Sequence, residues 1–169
     1  MTLMKLHAWL AIGGAMMMTA VATASAEDAA APASGDPRVA TALKAAGLAY
    51  SLDGGDFRLE YDVDQQRSQR AWVASETARI DRLEIRDVWS VAARGKGEVP
   101  EELARMLLKE NVRMILGAWQ VNQSQDEYLV VFLAQVDAAA DAATLREVIE
   151  VVMFSADRIE KQLSDQDAF

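Results

Sequence analysis

The side chains that carry most nucleophilic and redox chemistry are nearly missing from this sequence. Its 169 residues include no cysteine and one histidine, His7. Without a thiol there is no thiolate nucleophile, no thiolate metal site and no disulfide. His7 falls in a stretch that reads as an export leader, so the rest of the chain has no imidazole. That removes His-based acid–base triads and His-ligated zinc. The serines lack a basic partner, and no glycine-rich phosphate loop is present. Carboxylates are abundant, 26 in all. Pairs spaced for glycoside hydrolysis therefore arise by chance and single out no enzyme. The expectation is a noncatalytic chain with no catalytic residue, no cofactor and no metal ligand set.

Carboxylates, arginines and tryptophans remain as groups that could recognise something. Asp53, Asp56, Asp62 and Asp64 cluster on or beside a turn. They lack the alternating acids and closing glutamate of a calcium loop, so turn chemistry and a solvated strand edge explain them more simply. Residues 67–96 carry a local net charge of +3 in a chain that is otherwise acidic. Arg82 and Arg86 lie in that segment and are candidates to dock an acidic partner. Outward-facing arginines balanced by acidic helices are the plainer alternative. Trp72 and Trp89 are candidate contact anchors, because indoles give large, rigid contact area. Ordinary core filling competes for each of them. Asn111, beside an apolar stripe, suits a hydrogen bond to nearby backbone. Phe169 ends a short polar stretch expected to fray.

Periodicity supplies the elements that must position these groups. Asp36-Pro37 reads as an N-cap followed by proline at the first helical position. Val39, Leu43 and Ala46 recur at helical spacing, and Gly47 stops the helix. Leu48, Tyr50 and Leu52 alternate up to a turn at residues 53–56, and Phe57, Leu59, Tyr61 and Val63 alternate after it. Residues 67–75 and 83–91 supply two more strands. In the second, Leu83 and Ile85 share a face and Val88 falls out of phase, which predicts a bulge or bend near Asp87. Residues 95–98 read as a loop. Pro100-Glu101-Glu102 opens a helix striped by Leu103, Met106, Leu107 and Met114, with acids where the dipole favours them. Residues 117–124 and 127–136 form a strand pair. Asp141 caps a last helix with a long stripe through Leu145, Val148, Ile149, Val152, Ala156, Ile159 and Leu163.

The predicted class is α+β, a mainly antiparallel sheet of about six strands in the order α-β-β-β-β-α-β-β-α. Strand 127–136 is apolar on both sides: Tyr128, Val130, Phe132 and Val136 on one, Leu129, Val131 and Leu133 on the other. Such a strand needs cover on both faces, and three helices are few for that task. This points to a partner, or a second copy of the chain, on the less covered face.

Residues 1–26 read as a cleavable leader: Lys5, an apolar run from Ala8 to Val21, then Ala24-Ser25-Ala26. The run is shorter than the ~20 residues that cross a bilayer, so an uncleaved membrane anchor is the lesser alternative and no integral membrane segment is expected after cleavage. Residues 27–35 are small and polar and read as a disordered lead-in. Residues 36–163 form one α+β domain, and residues 164–169 a C-terminal tail. Beyond residue 26 the net charge is −10, which repels nucleic acid and anionic lipid.

A family resemblance rests on Phe57-Arg58-Leu59, on residues 83–90 (LEIRDVWS), on Pro100-Glu101-Glu102-Leu103, on residues 107–111 (LLKEN), on residues 117–121 (GAWQV) and on residues 128–132 (YLVVF). In order and spacing these resemble the YbjN-domain family of sensory transduction regulators, over roughly residues 36–163. The resemblance implies a fold similar to type III secretion chaperones, which dimerise and wrap unfolded stretches of client protein, and it implies no catalytic residues. The export leader departs from the practice of those cytoplasmic chaperones. The resulting expectation is a periplasmic or secreted binding domain for a protein or peptide, chaperone- or regulator-like. Its alternative is an envelope small-molecule or polymer sensor with a pocket between sheet and helices.

Overall fold

The computed structural model describes residues 35–64, 67–124, 126–164 and 169. The expected leader, nearly all of the lead-in and most of the tail lie outside these residues. The chain enters the domain at a built junction. Asp36 accepts a hydrogen bond from the Arg38 amide at 2.8 Å, capping α1 (Pro37–Ala45) with proline in its first turn. The helix closes as its sequence predicts. Gly47 adopts a φ of 70°. Its amide donates to Lys44 O and that of Leu48 to Leu43 O. Paired bonds of this kind satisfy the last carbonyls of a helix.

Five strands follow: β1 (Ser51–Asp53), β2 (Asp56–Asp64), β3 (Arg67–Val73), β4 (Ala78–Ile80) and β5 (Leu83–Lys96). Then come α2 (Glu101–Asn111), β6 (Ala118–Ser124), β7 (Glu127–Asp137) and α3 (Ala142–Leu163). All strand pairings are antiparallel, in the order β1-β2-β3-β5-β7-β6, with β4 paired to the start of β5. The α+β class and the antiparallel sheet are as expected. Among the described residues the count is seven strands instead of six, because β4 is three exposed residues with no alternation to reveal it.

β5 departs furthest from its sequence reading. The ladder with β7 runs unbroken from Ile85 to Val91, so there is no irregularity near Asp87. Leu83, Ile85 and Trp89 share one face, and Arg86, Val88 and Ser90 share the other. The apparent phase slip arises because an arginine holds an inward position. The bulge lies further on, between Val91 and Ala93, and β5 continues through residues 95–96, where a loop was expected.

The pairing register puts most of the buried strand residues on one side. Phe57 and Leu59 (β2), Ala71 and Val73 (β3), Val88 (β5), Trp119 (β6), and Val130, Phe132 and Ala134 (β7) form one cluster with Val39 and Leu43 of α1, Leu107 of α2 and the stripe of α3. The three helices of the described residues therefore lie on the same face. α3 spans the middle, against β3, β5 and β7, with α1 beside it and α2 over β6. Asp141 caps α3 through the Thr144 amide at 2.8 Å. The stripe from Leu145 to Ile159 is buried as predicted, whereas Leu163 is exposed. Asn111 fastens α2 to β6: its Oδ1 accepts from the Trp119 amide at 2.6 Å and its Nδ2 donates to Trp119 O at 3.3 Å. No helix among the described residues is long and apolar enough to cross a membrane.

Candidate functional site

The opposite face of the sheet has no described helix on it. At its centre the β3–β5 ladder pairs Trp72 with Trp89, their rings 6.2 Å apart and 9° from parallel. Trp72 Nε1 donates to Asp53 Oδ2 at 3.1 Å, which sets the indole's rotation. Trp89 is opposite Leu133, which is opposite Ala118; Val91 is opposite Val131, which is opposite Gln120. Val131 is buried yet stands outside the helix-side cluster. An aliphatic strip thus runs from the tryptophans toward β6. On the other side β2 presents Arg58, Glu60 and Asp62. The surface is amphipathic, with an aromatic centre.

The ladder between β3 and β5 holds only two residue pairs, Trp72 with Trp89 and Val73 with Val88. Beyond them side chains bridge the strands. Gln69 Nε2 donates to Ser90 Oγ and to Val91 O, both at 2.8 Å, and Ser90 Oγ donates to Arg70 O at 2.6 Å. Both residues are fully buried, so their hydrogen bonds replace the missing backbone ladder. The tryptophan pair is therefore the last point at which these strands are zipped.

Of the four residues expected to contact a partner, the structure joins two. Trp72 and Trp89 meet on the helix-free face. Arg82 sits at the tip of the β4–β5 hairpin with its side chain 97% exposed. Seven residues of strand place it about 20 Å from Trp89. Arg86 is a correction: it is 2% exposed and unavailable to any partner. Its guanidinium donates to Ala74 O, to Ser75 O at 3.0 Å and to Asp36 Oδ2 at 2.5 Å. The same logic dismantles much of the expected basic patch. Arg67, Arg70, Arg79 and Arg86 each engage a carboxylate. The clustered acids also have structural uses: Asp56 Oδ1 accepts from the Ser75 amide at 2.8 Å, and Asp53 holds Trp72.

Asp36 anchors a network that ties α1 to the sheet. Burial pushes its carboxyl up, but hydrogen bonds from the Arg38 side chain, from Arg86 and from the Arg38 amide outweigh that and hold it well below the usual carboxylate range. Glu84, which accepts from Arg38 and Thr77, is also lowered. A carboxylate depressed on folding stabilises the fold above its unfolded pKa of about 3.9, and that contribution is lost as pH falls below it. The urea midpoint is expected to fall as pH drops from about 5 to about 2. Asp36→Asn should be less stable at neutral pH and show a shallower acid slope. Equal slopes in the two proteins would remove Asp36 from this account.

Sequence reasoning missed a second buried charge cluster. Arg67 Nε donates to Asp157 Oδ1 at 2.9 Å, its Nη2 lies 2.9 Å from Glu160 Oε2, and Lys161 reaches Asp157 at 3.0 Å. Asp157 and Glu160 are buried although they sit on α3, 90 residues or more from Arg67. Their helical spacing on the apolar stripe was the available signal.

No family model matches this chain, and no curated protein matches it.

Proposed function

We propose that this chain is an exported, noncatalytic binding domain that holds a segment of a protein partner on the helix-free face of its sheet, in a chaperone- or regulator-like role. The observation that carries this reading is the Trp72–Trp89 pair, set beside the strip of Val91, Leu133 and Leu129 on the face opposite the helices. Buried aromatic anchors dominate the energetics of protein interfaces, and an apolar strip of this kind accommodates an extended or helical segment. The resemblance to the YbjN-domain family points the same way, as does the lack of thiol and imidazole beyond residue 26. The leader-like residues 1–26 support a periplasmic or secreted location.

The test uses a fluorescein-labelled, reduced and alkylated unfolded protein as client, followed by anisotropy. Trp89→Ala should weaken its capture by at least about tenfold, the loss typical of a central anchor, with the circular dichroism spectrum unchanged. Unaltered capture by the variant, or no capture by the parent chain, rejects the reading. Unfolding of the variant would assign Trp89 to the core and equally defeat it.

A further inference from the structure

The helix-covered side of the sheet is hollow at one corner. A cavity of about 760 Å³ lies between the end of β5, the start of β7, α2 and the end of α3. Its origin is in the strand sequence. The bulge between Val91 and Ala93 turns two small residues, Ala92 and Ala93, toward the helices. Gly95 follows, opposite Tyr128, and a Cβ there would overlap the Tyr128 ring. The missing side chain lets that ring lie flat on the sheet as a wall. Three small residues where a core would place large ones leave the layer unfilled. Leu103 and Met106 of α2 and Leu163 of α3 form the facing walls.

The chemistry of the walls selects the occupant. Most of the lining is apolar, and it includes a methionine, whose flexible side chain adapts to irregular shapes. The buried charge at the cavity, Glu160, is already paired with Arg67 at 2.9 Å. A charged group entering the interior would meet no net opposite charge and would lose its hydration. An uncharged chain is the complementary guest. The exposed Glu102 belongs to the same lining and marks where the cavity opens to water, so a polar head can stay hydrated there. The volume falls within the range of about 300–1,000 Å³ typical of small-molecule sites.

We infer that this cavity binds a single-chain amphiphile, with its alkyl or acyl tail against Tyr128, Leu103, Met106 and Leu163 and its head in solvent at the mouth beside Glu102. This site is on the opposite side of the sheet from the tryptophan pair and stands independently of the partner-binding reading. The probe is dansyl-labelled undecanoate bound to the full chain. Decanoate, decyltrimethylammonium and decyl glucoside serve as competitors, sharing one tail and differing in head. All three are expected to displace the probe with affinities within about tenfold of one another, because the tail carries the binding. Leu163→Trp, at an exposed position that tolerates bulk, should fill the mouth and weaken the probe by about tenfold or more. Gly95→Ala should weaken it by lifting the Tyr128 ring, and Trp89→Ala should leave it unchanged. The inference is overturned by absence of probe binding, by displacement with only one head group, or by binding indifferent to both cavity variants. Loss of binding in Trp89→Ala alone would place the probe on the other face and overturn it as well.

Discussion

Arg67→Met should lower the unfolding free energy by about 3–5 kcal/mol, the cost of removing one partner from a buried ion pair. Arg67 holds Asp157 and Glu160 at 2.9 Å each, and both carboxylates are buried on α3. Methionine keeps much of the stem's packing and removes the charge, so the loss reports chiefly the ion pairs with Asp157 and Glu160. Asp157 keeps Lys161, whereas Glu160 loses its arginine. Adding Glu160→Gln to Arg67→Met should therefore recover part of the stability, although Glu160→Gln alone should destabilise. Urea denaturation of the four proteins gives the coupling directly. A double variant as unstable as the sum of the two single changes would show that the pair is not coupled. Because a domain of this size is stabilised by only about 5–15 kcal/mol, the single change should be plain in the urea midpoint.

Arg86→Met is the second large effect, expected at about 3 kcal/mol. Here the loss falls on backbone as well as charge. Ala74 O and Ser75 O lose their guanidinium donor inside the protein, and Asp36 keeps only its bonds from Arg38. A buried acceptor left without a donor costs about 1–3 kcal/mol. The control is four residues away. Arg82→Met, at a fully solvated hairpin tip, should change stability by no more than about 0.5 kcal/mol. Similar losses for the two arginines would contradict the contrast drawn between them. A loss under about 1 kcal/mol at Arg86 would mean that water replaces its bonds.

The hollow corner and the tryptophan face give the sheet two different surfaces. One is closed by helices except where Ala92, Ala93 and Gly95 thin it, and the other is free of described helices. β5 and β7 contribute to both, since alternate residues along each strand point to opposite sides.

Much of this architecture can be read locally. Asp36, Gly47 and Asp141 mark helix ends because capping is chemistry between residues two to four apart. The stripe of α3 and the alternation of β2 declare their faces by period alone. The two-sided character of β7 is visible because it needs only the pleat. It predicts one poorly covered face, and among the described residues all three helices lie on the other face. β4 could not be read, because three exposed residues carry no period.

The candidate site was half legible. Trp72 and Trp89 could be singled out as residues, but their pairing depends on the register between strands 17 residues apart in sequence. Arg86 was misread because a charged residue in an alternating strand counts as outward by its type. It points inward because Asp36, Ala74 and Ser75 arrive from other segments to satisfy it. Arg67 with Asp157 and Glu160 repeats this over a longer span. The sequence alone determined the helices, most of the strands, the apolar faces and the absence of thiol and, beyond residue 26, imidazole chemistry, since each depends on residue type or near-neighbour spacing. Only the tertiary structure decided which charges are buried, where β5 bulges and which indoles meet, because an ion's burial depends on compensation from partners that no local pattern brings near.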